Sequence, residues 1–130
     1  MGCGSMAIHK TDPALLAAGL RAFFRVSVEW KLNEAEQISL LGSPSQSVFA
    51  RWRSDDVASG FPETLERVSL IIGIYKAIHT LLPDPARANQ WMRAPNLAPI
   101  FAGGSALNQM LRGDIADLRR VRTYLDTQLH

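Results

Sequence analysis

The sequence predicts an all-α protein, and three observations carry that reading. Apolar residues recur at spacings of three and four along nearly the whole chain, period-two alternation is almost absent, and the segments so marked start and stop at residues suited to helix caps. Strands should be few or none. With 130 residues, 47% of them hydrophobic and 20% charged, the chain is long enough for one core and has the balance of a globular protein. The predicted architecture is an N-terminal helix-turn-helix-like half and a C-terminal helical half, joined by a long central helix.

Residues 1–8 read as a start that precedes the fold, within which "MGCGSM", with the single cysteine Cys3, looks like an added leader ahead of a natural start at Met6. One cysteine excludes a disulfide framework. The first helix should open at Asp12, with Pro13 at its first position, and carry Leu16, Leu20, Phe23 and Phe24 on a core-facing stripe. In "LNEAEQISLLG" the spacing of Asn33 and Glu36 is that of a capping box, and Gly42 supplies the left-handed stop. "SPSQSVFARWRSD" then restarts a helix, with Ser43 expected as N-cap and Pro44 at the first position.

The longest helix is predicted over Pro62 to Leu82. Leu65, Val68, Ile72, Tyr75, His79 and Leu82 form one stripe and Ile71, Ile74 and Ile78 another, so this helix must be surrounded by others. Asp84 and Pro85 open a shorter helix reaching about Met92, and Pro95 and Pro99 hold "APNLAPIF" as a loop. Ser105 caps a short helix ended by Gly113, and Asp114 caps the last, in which Ile115, Leu118, Val121 and Leu125 face inward while Arg119, Arg120 and Arg122 lie outside.

The turn between the second and third helices has the length of a helix-turn-helix. Val48, Phe49 and Trp52 can pack inward, which leaves Ser45, Gln46, Ser47, Arg51 and Arg53 as candidate DNA-reading residues on the exposed face. Residues 25–56 hold four basic side chains against five acidic ones, net −1, so a monomer would bind phosphates weakly and a dimer better. The competing reading is an ordinary helical hairpin with two solvated arginines.

Catalysis finds little support. His79 stands alone on an apolar stripe, His9 and His130 lie near the ends, and no cluster has metal-ligand spacing, so neither a metal nor another cofactor is expected. Gly103, Gly104 and Ser105 lack the lysine and the preceding strand of a phosphate loop and read as a turn with a cap. The most apolar run, Val68 to Tyr75, is too short to cross a bilayer, which needs about 20 residues, and a cytoplasmic protein without a membrane partner is expected.

Trp91, Pro95, Asn96, Phe101, Gly103 or Gly104, Ser105, Leu107, Leu111 and Gly113, followed by an amphipathic helix, resemble the toxin-binding domain of the MbcA/ParS/Xre antitoxin family. The resemblance covers about residues 60–129. Ala106 departs from it, standing where the family usually has proline. It implies a non-catalytic antitoxin that dimerises, binds a RES-type toxin related to ADP-ribosyltransferases by covering its NAD-binding cleft, and represses its own operon by binding operator DNA. The implied organisation is an N-terminal region over 9–58 and a toxin-binding domain over 59–130.

On that basis Trp91, Asn96, Phe101, Ser105, Arg119, Arg120 and Arg122 are candidate toxin-binding residues. Two readings stand for each. The aromatic pair either contacts toxin or holds its own loop, Asn96 and Ser105 tie down turns, and the arginines either meet the partner or form a solvated face, with Arg122 pairing to Asp126. A second functional class stays open as well: a stand-alone dimeric transcription regulator.

Overall fold

A computed structural model describes residues 12–58 and 62–129, so the leader and its cysteine lie outside the described residues, as do His9 and His130. The described residues form α-helices and one short 3₁₀ turn, with no strand among them and a single isolated antiparallel bridge between Pro95 and Ser105. The all-α expectation holds.

Helix α1 (Pro13–Glu29) begins where Asp12 accepts the Ala14 amide, and it buries Leu16, Leu20, Phe23 and Val26. Helix α2 (Glu34–Leu40) opens on the expected capping box: Asn33 accepts the Glu36 amide at 2.8 Å and Glu36 accepts the Asn33 amide at 2.9 Å. It closes on a Schellman motif, in which the amide of Gly42 reaches Ser39 and that of Ser43 reaches Ile38. Gly42 has φ of 92°, a value at which a side chain would be strained.

That closure corrects the predicted start of the next helix. Ser43 belongs to the end of α2, at φ of 61°, so it cannot also take the extended backbone of an N-cap. Helix α3 (Gln46–Arg53) starts two residues later, with Ser45 accepting the Val48 amide.

Helix α4 (Pro62–Leu81) is the central strut. Its most buried line is Val68, Ile71, Ile74 and Ile78, while Leu65, Ile72, Tyr75 and His79 are half-buried at the flanks. Of the two predicted stripes, the isoleucine stripe is therefore the centre of the packing, because α1 and α7 clasp α4 from two sides. Helix α5 (Pro85–Trp91) is capped by Asp84. A 3₁₀ turn at Pro99–Phe101, α6 (Ala106–Met110) and α7 (Ile115–Leu129) complete the chain. Asp114 accepts the Ala116 amide at the start of α7, as predicted.

Both halves share one core. Phe23, Phe49 and Trp52 belong to the same apolar cluster as Ile74, Met92, Leu107 and Leu118. Two arginines cross between the halves, Arg93 by hydrogen bonds and Arg67 by packing. Arg93, just past α5, donates to the Trp30 and Lys31 carbonyls at the end of α1 and pairs with Glu36 of α2. A cation there meets the negative end of the α1 dipole and fills carbonyls that the helix leaves open. Arg67, buried in α4, donates to Glu63 and to the Gly113 carbonyl, and its guanidinium lies against Gly42.

Candidate interaction surfaces

The C-terminal surface is built on an aromatic stack. Phe101 is only 4% exposed and meets Trp91 edge-on at 6.0 Å and Tyr124 of α7 at 5.3 Å. Over this floor runs the loop of residues 95–104. Asn96 donates its amide to the Gly104 carbonyl and accepts the Ala98 amide with its side chain, both at 2.9 Å. Ser105, itself buried, accepts the Asn108 amide to start α6, and the Leu107 amide reaches back to the Met92 carbonyl. Phe101, Asn96 and Ser105 thus direct these contacts into the chain itself. Ala106 is fully buried, and α6 starts there from the Ser105 cap without proline.

The three arginines of α7 differ. Arg119 is exposed and bonds Glu66 of α4 at 2.9 Å, and Arg120 is exposed and bonds Asp117 at 2.9 Å. Arg122 is half-buried, pairs with Asp126 at 3.0 Å as its spacing suggests, and lies on Gly73 so closely that a Cβ there would overlap its guanidinium. It fills the α4–α7 seam, whereas Arg119 and Arg120 border an apolar groove with Ile100, Thr123 and Tyr124.

Sequence reasoning passed over Asp117. This carboxylate is 3% exposed yet accepts the Gln109 side chain at 2.6 Å as well as Arg120. Its signal was an acid one position before Leu118 in the first turn of an amphipathic helix, where it looks like an ordinary dipole partner. Arg67 had a clearer signal, a charged residue four positions from Ile71 on the buried face.

On the N-terminal side, Ser45, Gln46, Ser47, Arg51 and Arg53 are all exposed, while Phe49 and Trp52 are buried and Val48 is half-buried. Phe49 packs edge-on against Phe24 of α1, which orients α3. Arg53 lies over the Phe49 ring and within 3.6 Å of Glu34; Arg51 has no salt-bridge partner among the described residues.

No group of three metal-ligating side chains occurs among the described residues, and no described helix is long and apolar enough to cross a membrane. His79 bonds Asn89 at 3.2 Å and stacks on Tyr75, a packing role. Burial raises the Tyr75 phenol above its ordinary value, and its hydrogen bond to Glu29 and that carboxylate's charge raise it further. The hydroxyl therefore stays protonated, a donor to Glu29 at 2.8 Å.

Comparison with known proteins places these features. The chain is 44% identical over 119 residues to "Uncharacterized protein y4oB" of Sinorhizobium fredii (strain NBRC 101917 / NGR234), which spans 91% of this chain and 89% of that protein. A 50-residue segment, 38% of this chain, is 46% identical to a protoheme IX farnesyltransferase of Geobacter sulfurreducens (strain ATCC 51573 / DSM 12127 / PCA), but it covers only 18% of that protein. Residues 77–130 match the antitoxin Xre/MbcA/ParS C-terminal toxin-binding domain, the segment that holds the aromatic floor, the bonded loop and α7. The chain belongs to the Xre/MbcA/ParS antitoxin family.

Proposed function

We propose that this protein neutralises a RES-type, NAD-consuming toxin by seating its C-terminal half over the toxin's NAD-binding cleft, and that as a homodimer it represses its own operon through α3. The observation that carries the first part is the matched toxin-binding segment, with a loop braced from below by Phe101 and from within by Asn96. Such a surface acts by fit, since a loop ordered in advance loses little entropy on binding. Arg119 and Arg120 meet acidic groups of the partner, while Arg122 keeps α7 on α4.

Co-expression with the toxin encoded beside it, followed by size-exclusion chromatography, tests this function directly: the two chains should co-elute and toxin activity should fall. Changing Arg119 and Arg120 together to alanine should weaken the complex about tenfold and reduce its sensitivity to salt, since rim charges act largely through screened electrostatics. Equal affinity at low salt would remove these two residues from the contact.

The DNA-binding part rests on α3, whose apolar side is seated in the core and whose outer side presents Arg51 without an internal partner among the described residues. Arg51→Ala should weaken binding to duplex DNA from upstream of its own gene and lower the salt slope by about one. A titration that matches the wild type at every salt concentration would exclude Arg51 as a phosphate or base contact.

A further inference from the structure

Leu97 is 99% exposed, the most exposed large apolar side chain of the described residues, and within the matched segment only Leu129, at 39%, is also classed with them. A single exposed leucine is ordinary on a protein surface. This one differs in how it is held. Pro95 and Pro99 fix φ on either side, Asn96 bonds both across the loop and to Ala98, and the Pro95–Ser105 bridge closes the base. The chain thus orders a loop and leaves a four-carbon side chain in water at its tip.

Ile100, three residues on in the same loop, borders a groove of about 350 Å³ with Thr123 and Tyr124, flanked by Arg119 and Arg120. Asp117, the carboxylate bonded to Arg120, is buried, so its charge is screened from the surface by Gln109 and two arginines. Over residues 77–130 the chain carries six arginines against four aspartates, net +2. Arg119 is paired with the exposed Glu66, which precedes that segment, whereas Arg112 and Arg120 share the one buried carboxylate of Asp117 and so leave a positive surplus beside the groove. The surface is an apolar projection next to an apolar groove with a cationic edge.

We propose that Leu97 is a docking knob that enters an apolar pocket of the toxin, with Ile100 and Tyr124 packing at the pocket's lip and carboxylates of the toxin meeting Arg119 and Arg120. The proposal rests on the toxin-neutralising function above and adds the residue that anchors it. The toxin is favoured over other occupants because the knob and groove lie inside the segment matched as toxin-binding and because their border is positive. Burying a leucine is worth about 1.5–3 kcal/mol, so its truncation should be visible as one to two orders of magnitude in affinity.

The test uses the full chain and the toxin encoded beside it, with affinity read by calorimetry. Leu97→Ala should weaken binding about thirtyfold and Leu97→Asp more than a hundredfold, with the melting temperature unchanged because the side chain touches so little of its own protein. Val28→Asp, at a site 77% exposed on α1, should leave binding intact. If the wild type holds the toxin and Leu97→Asp holds it equally well, or if Val28→Asp weakens it as much, the knob is overturned while the neutralising function stands. If the wild type does not hold the toxin at all, that function falls and the knob with it. If Leu97→Asp instead converts a dimer of this chain to a monomer in sedimentation, the occupant is a second copy and the proposal is likewise overturned.

Discussion

Phe101→Ala is expected to destabilise the protein by about 3–4 kcal/mol and to abolish toxin binding. The ring is almost fully buried, so its loss opens a cavity between Trp91 and Tyr124 and also removes two edge-to-face pairs, each worth about 0.5–1.5 kcal/mol beyond the area they cover. The loop bearing Leu97 would lose its floor, and affinity would fall even under conditions where most molecules remain folded. Phe101→Leu, which keeps much of the volume, should lose far less of both. Urea unfolding alongside toxin titration separates the two readouts, and a destabilisation below about 1 kcal/mol would show that the loop is supported elsewhere.

Arg67→Ala should destabilise by about 2–3 kcal/mol, most of it from the charge-assisted hydrogen bond to Gly113 and the packing against Gly42. The ion pair with Glu63 contributes little, because that carboxylate is more than half exposed and well solvated. Arg67→Met keeps the stem but leaves the Gly113 carbonyl without its donor, and it should fall between alanine and the wild type. Amide exchange should report the consequence in both halves at once, with faster exchange near Gly42 and near Gly113. Exchange confined to one of the two turns would mean that Arg67 does not link them.

Much of this architecture could be read from side-chain chemistry alone. Asp12, Asn33, Asp84, Ser105 and Asp114 each begin a helix where their side chains suggested, since a cap is a local bond between residues close in sequence. Helix ends were less visible. Lys31 and Asp55 take the same left-handed closing position as Gly42, at φ of 56° and 65°; lysine gives no sign of it and aspartate only a weak one. The loss of the predicted Ser43 cap has the same origin, because that residue was already engaged in ending α2.

The surfaces were harder to read for a different reason. Periodicity separates inside from outside on a helix but is silent on a loop, so Leu97 could be taken as one more apolar residue between prolines. Likewise, the three arginines of α7 look equivalent in sequence; only the small residue opposite, Gly73, sets Arg122 apart. Distance along the chain hides such partnerships. Arg93 and Trp30 meet across 63 positions, a separation over which no spacing rule operates.

The segment matched to the family begins at Ala77, partway along α4, whereas Arg67 lies ten residues earlier on the same helix and holds the turn before α7. Recombination that joined this segment to a new N-terminal half at the point where the resemblance begins would sever the hereditary unit from its own brace. A viable chimera must inherit the strut whole, together with whatever turn the new neighbour offers to that guanidinium.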